Sequence, residues 1–231
     1  MTENKLVPNI LTSISAPPKC GKTYLALTWE GPIKVYSFDL GAAFVRGKIL
    51  EKFPSKVIDI TEFNLPIVES DNPAPWAEPV WEKFQKEFKA DVESGKYKTL
   101  VIDTATALWN VCRQAITEAK NRKKLLEVEY ALPNLKMSAL FARARVNGVN
   151  LVTIQYTRDR YVKQENTGEK ELDGWKQTEG QVDLVLEMSR VVANKRCTMV
   201  TRIVDNRFER DLNGQTFNDT KYEELINLLG V

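Results

Sequence analysis

The sequence contains no histidine among its 231 residues. Mechanisms that need an imidazole base, a histidine metal ligand or a histidine-containing triad are therefore excluded. The three cysteines are widely spaced and odd in number, which argues against both a zinc site and a disulfide framework. A long hydrophobic run is also missing, because no stretch approaches the roughly 20 apolar residues of a membrane span. We therefore expect a soluble, cytoplasmic protein with no membrane partner.

The composition is that of a folded chain, since 43% of the residues are hydrophobic. We expect a single domain over residues 1–231, with a core at about 9–190 and C-terminal strands and a helix at 190–231. The net charge of +2 is uninformative by itself, but the charges are unevenly spread. Residues 190–210 hold two acidic side chains, Asp205 and Glu209, against six basic ones. The six are Arg190, Lys195, Arg196, Arg202, Arg207 and Arg210.

A short loop joins the apolar run at 10–15 to a helical pattern from Tyr24, and it reads Ala16-Pro17-Pro18-Lys19-Cys20-Gly21-Lys22-Thr23. Such a loop suits a phosphate chain, because backbone N–H groups and the positive end of the next helix point at one small volume. Gly21 lets the backbone approach the phosphates, Lys22 can reach the β and γ oxygens, and the Thr23 hydroxyl can ligate Mg²⁺.

This loop resembles the Walker A motif of P-loop NTPases, with Ala16 in place of the usual first glycine. The resemblance implies ATP and Mg²⁺ as cofactors. An ordinary surface turn is the alternative interpretation. The candidate nucleotide-binding residues are Pro18, Lys19, Cys20, Gly21, Lys22 and Thr23.

The apolar run at 97–104 predicts a buried strand that ends in a carboxylate, Asp103. Mg²⁺ bound between nucleotide phosphates keeps much of its water shell, and a carboxylate at the carboxyl edge of a strand can anchor it. The run looks like a Walker B motif, so Thr23 and Asp103 are the candidate metal ligands. The alternative is that Asp103 or Thr104 merely caps the following helix.

Strand patterns alternate with helical patterns along most of the chain, which predicts a parallel sheet with helices on both faces. The predicted strands are 10–15, 33–38, 56–60, 97–104, 149–155 and 182–188. Residues 190–204 predict two strands joined by a turn at 193–195, and residues 221–229 predict a terminal helix. Residues 62–79 contain four prolines and predict an irregular surface excursion before a helix from Pro79.

Residues 157–176 lack apolar periodicity and carry many charges of both signs, which predicts a mobile loop. Its first part interleaves basic and aromatic side chains, a pattern typical of a nucleic-acid surface. The candidate nucleic-acid-binding residues are Arg158, Arg160, Tyr161 and Lys163.

The order of these parts resembles the RecA-like core over roughly residues 9–190. The resemblance rests on the P-loop, on Phe38-Asp39-Leu40-Gly41 after the second strand, on the run 100–108, and on a strand ending in Gln155. Within that class the chain is most similar to phage-encoded RecA-related nucleotide-binding proteins. The residues that carry this similarity are Gly174-Trp175, the run 182–186 and Asp205-Asn206-Arg207-Phe208.

The resemblance implies an α/β fold: a RecA-like P-loop NTPase core with a mainly parallel sheet, helices on both faces and a C-terminal β-hairpin extension. It implies an Mg²⁺-dependent ATPase, a hydrolase that acts on single-stranded DNA in phage-type recombination or annealing. The implied partners are single-stranded DNA, further copies of the chain in a ring or filament, and a single-strand-binding protein. The implied location is the host cytoplasm if the chain is phage-encoded.

Several catalytic roles also follow from the resemblance. Lys22 would contact the transferred phosphoryl group, and Gln155 would sense the γ-phosphate and couple it to residues 157–176. Arg207, or Arg202, would reach the nucleotide of a neighbouring subunit. The alternatives are that Gln155 is a plain strand end and that both arginines are surface charges.

One departure from the RecA class concerns the attacking water. Where that class has a catalytic glutamate after the second strand, this chain has Gly41, with Asp39 two residues earlier. Asp39 can substitute, Glu62 can approach, or hydrolysis is slow. Two further functions therefore stay open: a nucleotide-gated interaction module with little hydrolysis, and a small-molecule kinase with residues 157–176 as its lid.

Overall fold

The computed structural model describes residues 9–67, 74–162 and 165–231. Within these ranges the strands are β1 Leu11–Ala16, β2 Ile33–Ser37, β3 Ile58–Glu62, β4 Thr99–Asp103, β5 Asn150–Val162, β6 Glu165–Asp173, β7 Leu184–Ala193, β8 Arg196–Asn206 and β9 Thr216–Asn218. The helices are α1 Lys22–Ala26, α2 Ala42–Lys52, α3 Ala77–Glu93, α4 Ala105–Ala119, α5 Ala131–Val146 and α6 Tyr222–Leu229. Short 3₁₀ turns lie at Glu127–Tyr130, Thr178–Gly180 and Arg210–Leu212.

All of these strands belong to one sheet, in the order β3-β2-β4-β5-β1-β7-β8-β9, with β6 paired to the outer part of β5. The strands from β3 to β7 in this order are parallel to their neighbours. The pairs β5–β6, β7–β8 and β8–β9 are antiparallel. Because β5 lies between β1 and β4, the carboxyl ends of all three strands meet at one edge.

Helices cover both faces of the sheet. β4 is buried along its whole length, and its side chains alternate between the two cores: Leu100 and Ile102 pack under α3, α4 and α5, whereas Val101 packs under α1, α2 and α6. The predicted fold class, a mainly parallel RecA-like sheet between two helical layers with a C-terminal hairpin, is confirmed. None of the helices in the described part of the chain combines the length and apolar character needed to cross a membrane.

Two helices differ from the sequence expectations. α3 begins at Ala77 rather than at Pro79, because a proline in the first turn removes an N–H that has no intrahelical partner there. The expected irregular stretch before it falls partly on residues 68–73, outside the described ranges. α2 follows β2, where no element was predicted, and only Ala42 and Ile49 of this helix are fully buried. Two buried positions are too few to produce a clear helical period in the sequence.

The prediction of a mobile loop at 157–176 is wrong for most of the segment. β5 continues past Gln155 to Val162 and pairs with β6 in an antiparallel hairpin. Both faces of this hairpin lie in solvent, so the strands carry charges instead of an apolar alternation, and the sequence looked unstructured for that reason. Gln155 is therefore an interior residue of β5 and not its end.

The C-terminal hairpin and helix are confirmed, but the predicted strand at 182–188 and the first strand of the hairpin are one continuous strand, β7. β7 and β8 form a hairpin whose two turn residues, Asn194 and Lys195, both have positive φ angles, 50° and 62°. Such a pair is typical of a two-residue type I′ turn. The final helix α6 buries four side chains at helical spacing, Tyr222, Leu225, Ile226 and Leu229.

Candidate functional site

The loop after β1 curves back over the carboxyl edge of the sheet. β1 is buried along its whole length, and α1 begins at Lys22. Between them, Lys19 and Gly21 have φ angles of 63° and 82°. A Cβ at Gly21 would lie 3.2 Å from Met199 Cγ, so this position combines a left-handed backbone with a close neighbour. The left-handed backbone favours glycine here, and a Cβ would also force the Met199 side chain to shift.

A cavity of about 340 Å³ opens beside this loop, within the size range of small-molecule sites. It brings together all six predicted nucleotide-binding residues, both predicted metal ligands and Asp39. Its walls are formed by Pro18, Lys19, Cys20, Gly21, Lys22, Thr23, Tyr24, Asp39, Val45, Asp103 and Tyr156.

The Lys22 ammonium lies inside this cavity. Its Nζ donates to the carbonyl oxygens of Ala16 at 2.9 Å and Pro17 at 2.8 Å. It also lies 4.5 Å from the centre of the Tyr156 ring, within reach of a cation–π contact. Burial lowers the pKa of Lys22 to about 8, although nearby negative groups oppose the shift. A phosphate beside this amine favours its charged form and so binds more strongly.

Thr23 and Asp103 meet across the cavity although they are 80 positions apart in sequence. The Thr23 hydroxyl donates to Asp103 Oδ2 at 2.8 Å. Asp103 is 1% exposed, and its Oδ1 has no hydrogen-bond partner among the described residues. Burial raises the pKa of Asp103 to about 7, and the charge of Asp39 adds to this rise. A buried, half-unpaired carboxylate beside a hydroxyl fits Mg²⁺, which prefers hard oxygen ligands and stabilises the ionised form.

Thr104, and not the Walker B carboxylate Asp103, caps the helix α4. Its hydroxyl accepts a hydrogen bond from Ala107 N at 3.2 Å and caps α4, which leaves Asp103 available. Across the described ranges, no cluster of three or more acidic or cysteine side chains suits a metal. A cation at this edge would therefore need phosphate and water oxygens to complete its ligands, as Mg²⁺–nucleotide sites do.

Asp39 also lines the cavity. Its Oδ1 accepts from the Gly41 amide at 3.0 Å, and its Oδ2 accepts from the Tyr156 hydroxyl at 3.3 Å. Glu62, the other candidate for water activation, is exposed at the end of β3 and is not part of the cavity wall. Of Asp39 and Glu62, only Asp39 lies beside the phosphate loop.

Tyr156 lines the cavity but was not among the predicted site residues. It pairs with Ala16 in the parallel register of β5 and β1, which places its ring beside the P-loop. Burial raises the pKa of Tyr156 to about 12, with a further contribution from Asp39, so the hydroxyl keeps its proton and acts as a donor. Only the strand order identifies this residue, since no local motif marks it.

Gln155 is fully buried beside the root of the β5–β6 hairpin, and its side-chain amide has no hydrogen-bond partner in the described ranges. A Cβ at Gly174 would lie 3.2 Å from Gln155 Oε1. Thr106, in the first turn of α4, joins both hairpin strands: its Oγ1 accepts from Tyr156 N at 3.0 Å and donates to the carbonyl of Asp173. The Walker B segment and the hairpin therefore share one junction.

The candidate nucleic-acid residues lie on this hairpin and are largely paired. Arg158 lies 2.9 Å from Glu171, and Arg160 lies 2.6 Å from Glu169 on the facing strand. Tyr161 is exposed near the turn, and Lys163 lies outside the described residues. The two arginines are thus neutralised by carboxylates across the ladder.

Neither of the two candidate trans arginines is part of the cavity wall. Arg207 approaches Asp183 at 3.3 Å. Asp183 also accepts from Leu11 N, which places this pair at the edge of the sheet opposite the P-loop. Arg202 approaches Glu187 at 3.7 Å on the β7–β8 hairpin. Their proposed contact with the nucleotide of a neighbouring subunit stays a prediction.

Fold and site together define a P-loop ATPase domain with a RecA-like sheet. A family model described as an AAA domain matches residues 9–217, most of the sequence, so the chain belongs to that family. The KaiC-like protein PH0186 from the hyperthermophilic archaeon Pyrococcus horikoshii OT3 is similar in structure, with a TM-score of 0.55. At 15% identity, over 91% of this chain and 85% of that one, the likeness shows the fold alone. A search of curated proteins finds no match.

Proposed function

We propose that this chain binds ATP with Mg²⁺ and hydrolyses it. The observation that carries the proposal is the contact between Thr23 and Asp103, which joins the Walker A and Walker B segments. That contact lies in a cavity whose other polar walls include Lys22 and Asp39. A hydroxyl, a half-unpaired carboxylate and an amine at one strand edge match the needs of a metal-bound triphosphate.

Each residue has a distinct part in this proposal. The backbone amides from Lys19 to Thr23 surround the phosphates, and Lys22 exchanges its two carbonyl partners for phosphate oxygens. Thr23 and Asp103 would hold Mg²⁺, which neutralises charge on the phosphates when bound. Asp39, oriented by Gly41 N and the Tyr156 hydroxyl, accepts a hydrogen bond from the attacking water.

The finer part of the proposal concerns partners. We propose that turnover is coupled to single-stranded DNA and that copies of the chain assemble in a ring or filament, in recombination or annealing of the phage type. The junction of Thr106 with both strands of the β5–β6 hairpin supports such coupling, because it links the Walker B helix to an exposed arm. A single-strand-binding protein is a further proposed partner.

The test is phosphate release from Mg²⁺–ATP, with and without single-stranded DNA, together with fluorescent-nucleotide binding. We expect Lys22→Ala to lower kcat/KM by a factor on the order of 10² to 10³, as loss of a transition-state donor does. Lys89→Ala, an exposed lysine on α3, is the matched control and should leave turnover unchanged. ATP turnover that is indifferent to Lys22→Ala would refute the proposal.

A second candidate is a nucleotide-gated interaction module with little hydrolysis. It is favoured by the missing glutamate, since this chain has Gly41 where the RecA class uses a glutamate, and Asp39, two residues earlier, is held by two hydrogen bonds. Under this alternative, Mg²⁺–ATP binds tightly but phosphate release stays at background. Multiple turnovers abolished by Asp39→Asn would exclude it.

A further inference from the structure

The tip of the β7–β8 hairpin, residues 189–197, is exposed along its whole length. It contains the cations Arg190, Lys195 and Arg196 and no acidic residue. Over the described part of the chain, none of these three side chains takes part in an ion pair or a side-chain hydrogen bond. The positive charge of this tip is therefore uncompensated within the chain.

The tip projects from the same sheet edge as the P-loop. β7 pairs with β1 up to Glu187, opposite Ser15, and then continues to Ala193. At the rise of an extended strand, the part beyond the pairing with β1 is roughly 17 Å long. Arg190 lies directly across from Met199, the residue that packs under Gly21. The cations thus begin beside the nucleotide site and extend away from it.

The shape of the tip is preorganised for contact. Its two turn residues have the positive φ angles of a type I′ turn, which matches the twist of the strands and holds both in register. Two apolar side chains stand among the cations, Val191 at 50% and Val192 at 64% exposure. Charge on a rigid, protruding element attracts a polyanion with little loss of side-chain and backbone freedom.

We propose that the β7–β8 tip binds the phosphate backbone of single-stranded DNA. The phosphates are contacted by Arg190, Lys195 and Arg196. These side chains can bind phosphate without first breaking an ion pair within the chain. The exposed valines favour a single strand over a duplex, since unpaired bases present apolar faces that a duplex keeps stacked inside. The choice of polymer rests on the proposed function, whereas the position of the contact follows from the charges of the tip.

The test is fluorescence anisotropy of a labelled oligothymidylate with the full chain in Mg²⁺–ATP, over a series of salt concentrations. The variant R190A/K195A/R196A should bind at least about tenfold more weakly at low salt. The slope of log affinity against log salt should fall in magnitude by about 2, since each single-strand phosphate contact contributes about 0.7. R190K/R196K should retain most of the affinity, because the charges are kept.

The matched control is R158A/R160A/K170A on the β5–β6 hairpin, which removes the same number of positive charges from ion-paired positions. We expect a smaller loss than in the tip variant and an almost unchanged salt slope. Circular dichroism and Mg²⁺–ATP binding establish that both variants fold. The single variants R190A and R196A should each lower the slope by about 0.7, which keeps the test valid if a triple variant misfolds.

Several results would overturn the assignment. One is an equal loss of DNA affinity in the two triple variants, and another is a loss of affinity confined to the control. A third is tighter binding of a duplex of the same length. A wild-type chain that binds Mg²⁺–ATP but no single-stranded DNA at low salt would overturn it too, while leaving the ATPase proposal intact. Conversely, tip-dependent DNA binding without ATP binding would refute the ATPase proposal and leave this one standing.

Discussion

Two hairpins flank the phosphate loop, and they differ in how their charges are used. β5 and β7 are the two neighbours of β1, and each runs past the carboxyl edge of the sheet before turning back. On β5–β6, Arg158 and Arg160 face Glu171 and Glu169 across the ladder. On β7–β8, the tip cations have no such partners among the described residues. Similar basic content therefore produces a neutral arm and a cationic one.

The hairpins also differ at their roots. The β5–β6 root is polar, because Thr106 hydrogen-bonds both of its strands and Gln155 is buried beside it. The β7–β8 root is apolar, because Met188 and Met199 pack under Gly21. A polar junction can exchange hydrogen bonds when a nucleotide binds, whereas an apolar contact supports the loop by packing. Whether a basic side chain in a hairpin is unpaired therefore depends on the residues of the facing strand and not on the number of basic residues.

The largest effect is expected at the apolar root. Met188→Ala removes a buried side chain and should lower the free energy of unfolding by about 2–5 kcal/mol. Val192→Ala, at the exposed tip of the same strand, is the control and should change stability little. Denaturant unfolding measures both. Equal stabilities of the two variants would contradict the packing role of this root.

The next effect is expected at the polar root. Gly174 has a φ angle of 154°, and a Cβ there would lie 3.2 Å from both Gln155 Oε1 and Thr106 Cα. Gly174→Ala should therefore cost about 1–3 kcal/mol and reduce the stimulation of turnover by DNA. Gly180→Ala, where a Cβ meets no atom within 4 Å, is the matched control. Thermal melts and phosphate release are the measurements, and a neutral Gly174→Ala would argue against a tight junction.

A smaller effect tests whether ion pairing weakens DNA binding by the β5–β6 hairpin. The variant E169Q/E171Q removes the carboxylates that face Arg160 and Arg158 while keeping the shape of the side chains. Arg160 and Lys176 then lose their carboxylate partners, and Arg158 keeps only Asp173, at 3.7 Å. The affinity for single-stranded DNA should therefore rise several-fold, with a steeper salt dependence. Anisotropy titrations measure this. Unchanged affinity would mean that pairing is not what separates the two arms.

The smallest effect concerns acid stability. Hydrogen bonds from Lys176 and Arg158 hold the pKa of Glu171 below its usual range. A carboxyl group with a depressed folded pKa stabilises the fold above its unfolded pKa, about 4.3, and this contribution is lost as the pH falls through the folded value. Glu171→Gln should therefore flatten the fall in melting temperature over this window. Identical pH profiles for Glu171→Gln and the parent chain would contradict the pairing.

Much of the fold was predictable from sequence because its signals are local. The glycine, lysine and threonine of the P-loop, the apolar run before Asp103 and the turn at 193–195 each sit within a few residues. Helical patterns likewise predicted α3 and α6. The order of strands and helices followed from these patterns, because a parallel sheet requires crossovers. The phage-specific likeness and the partners stay predictions.

Where the residues of the site come from different strands, their proximity could not be predicted from sequence and is seen only in the tertiary structure. Tyr156 lies beside Lys22 only because β5 is the neighbour of β1, and Asp39 is oriented by that same tyrosine. The β5–β6 hairpin was hidden because its two strands are exposed beyond Tyr156 and carry charges, which leave no apolar period. Sequence by itself determined the chemistry of the phosphate loop and its metal carboxylate, since these depend on residue type and short spacing. Tertiary structure alone decided which charges are free, because a charge is neutralised by whatever the fold places opposite it.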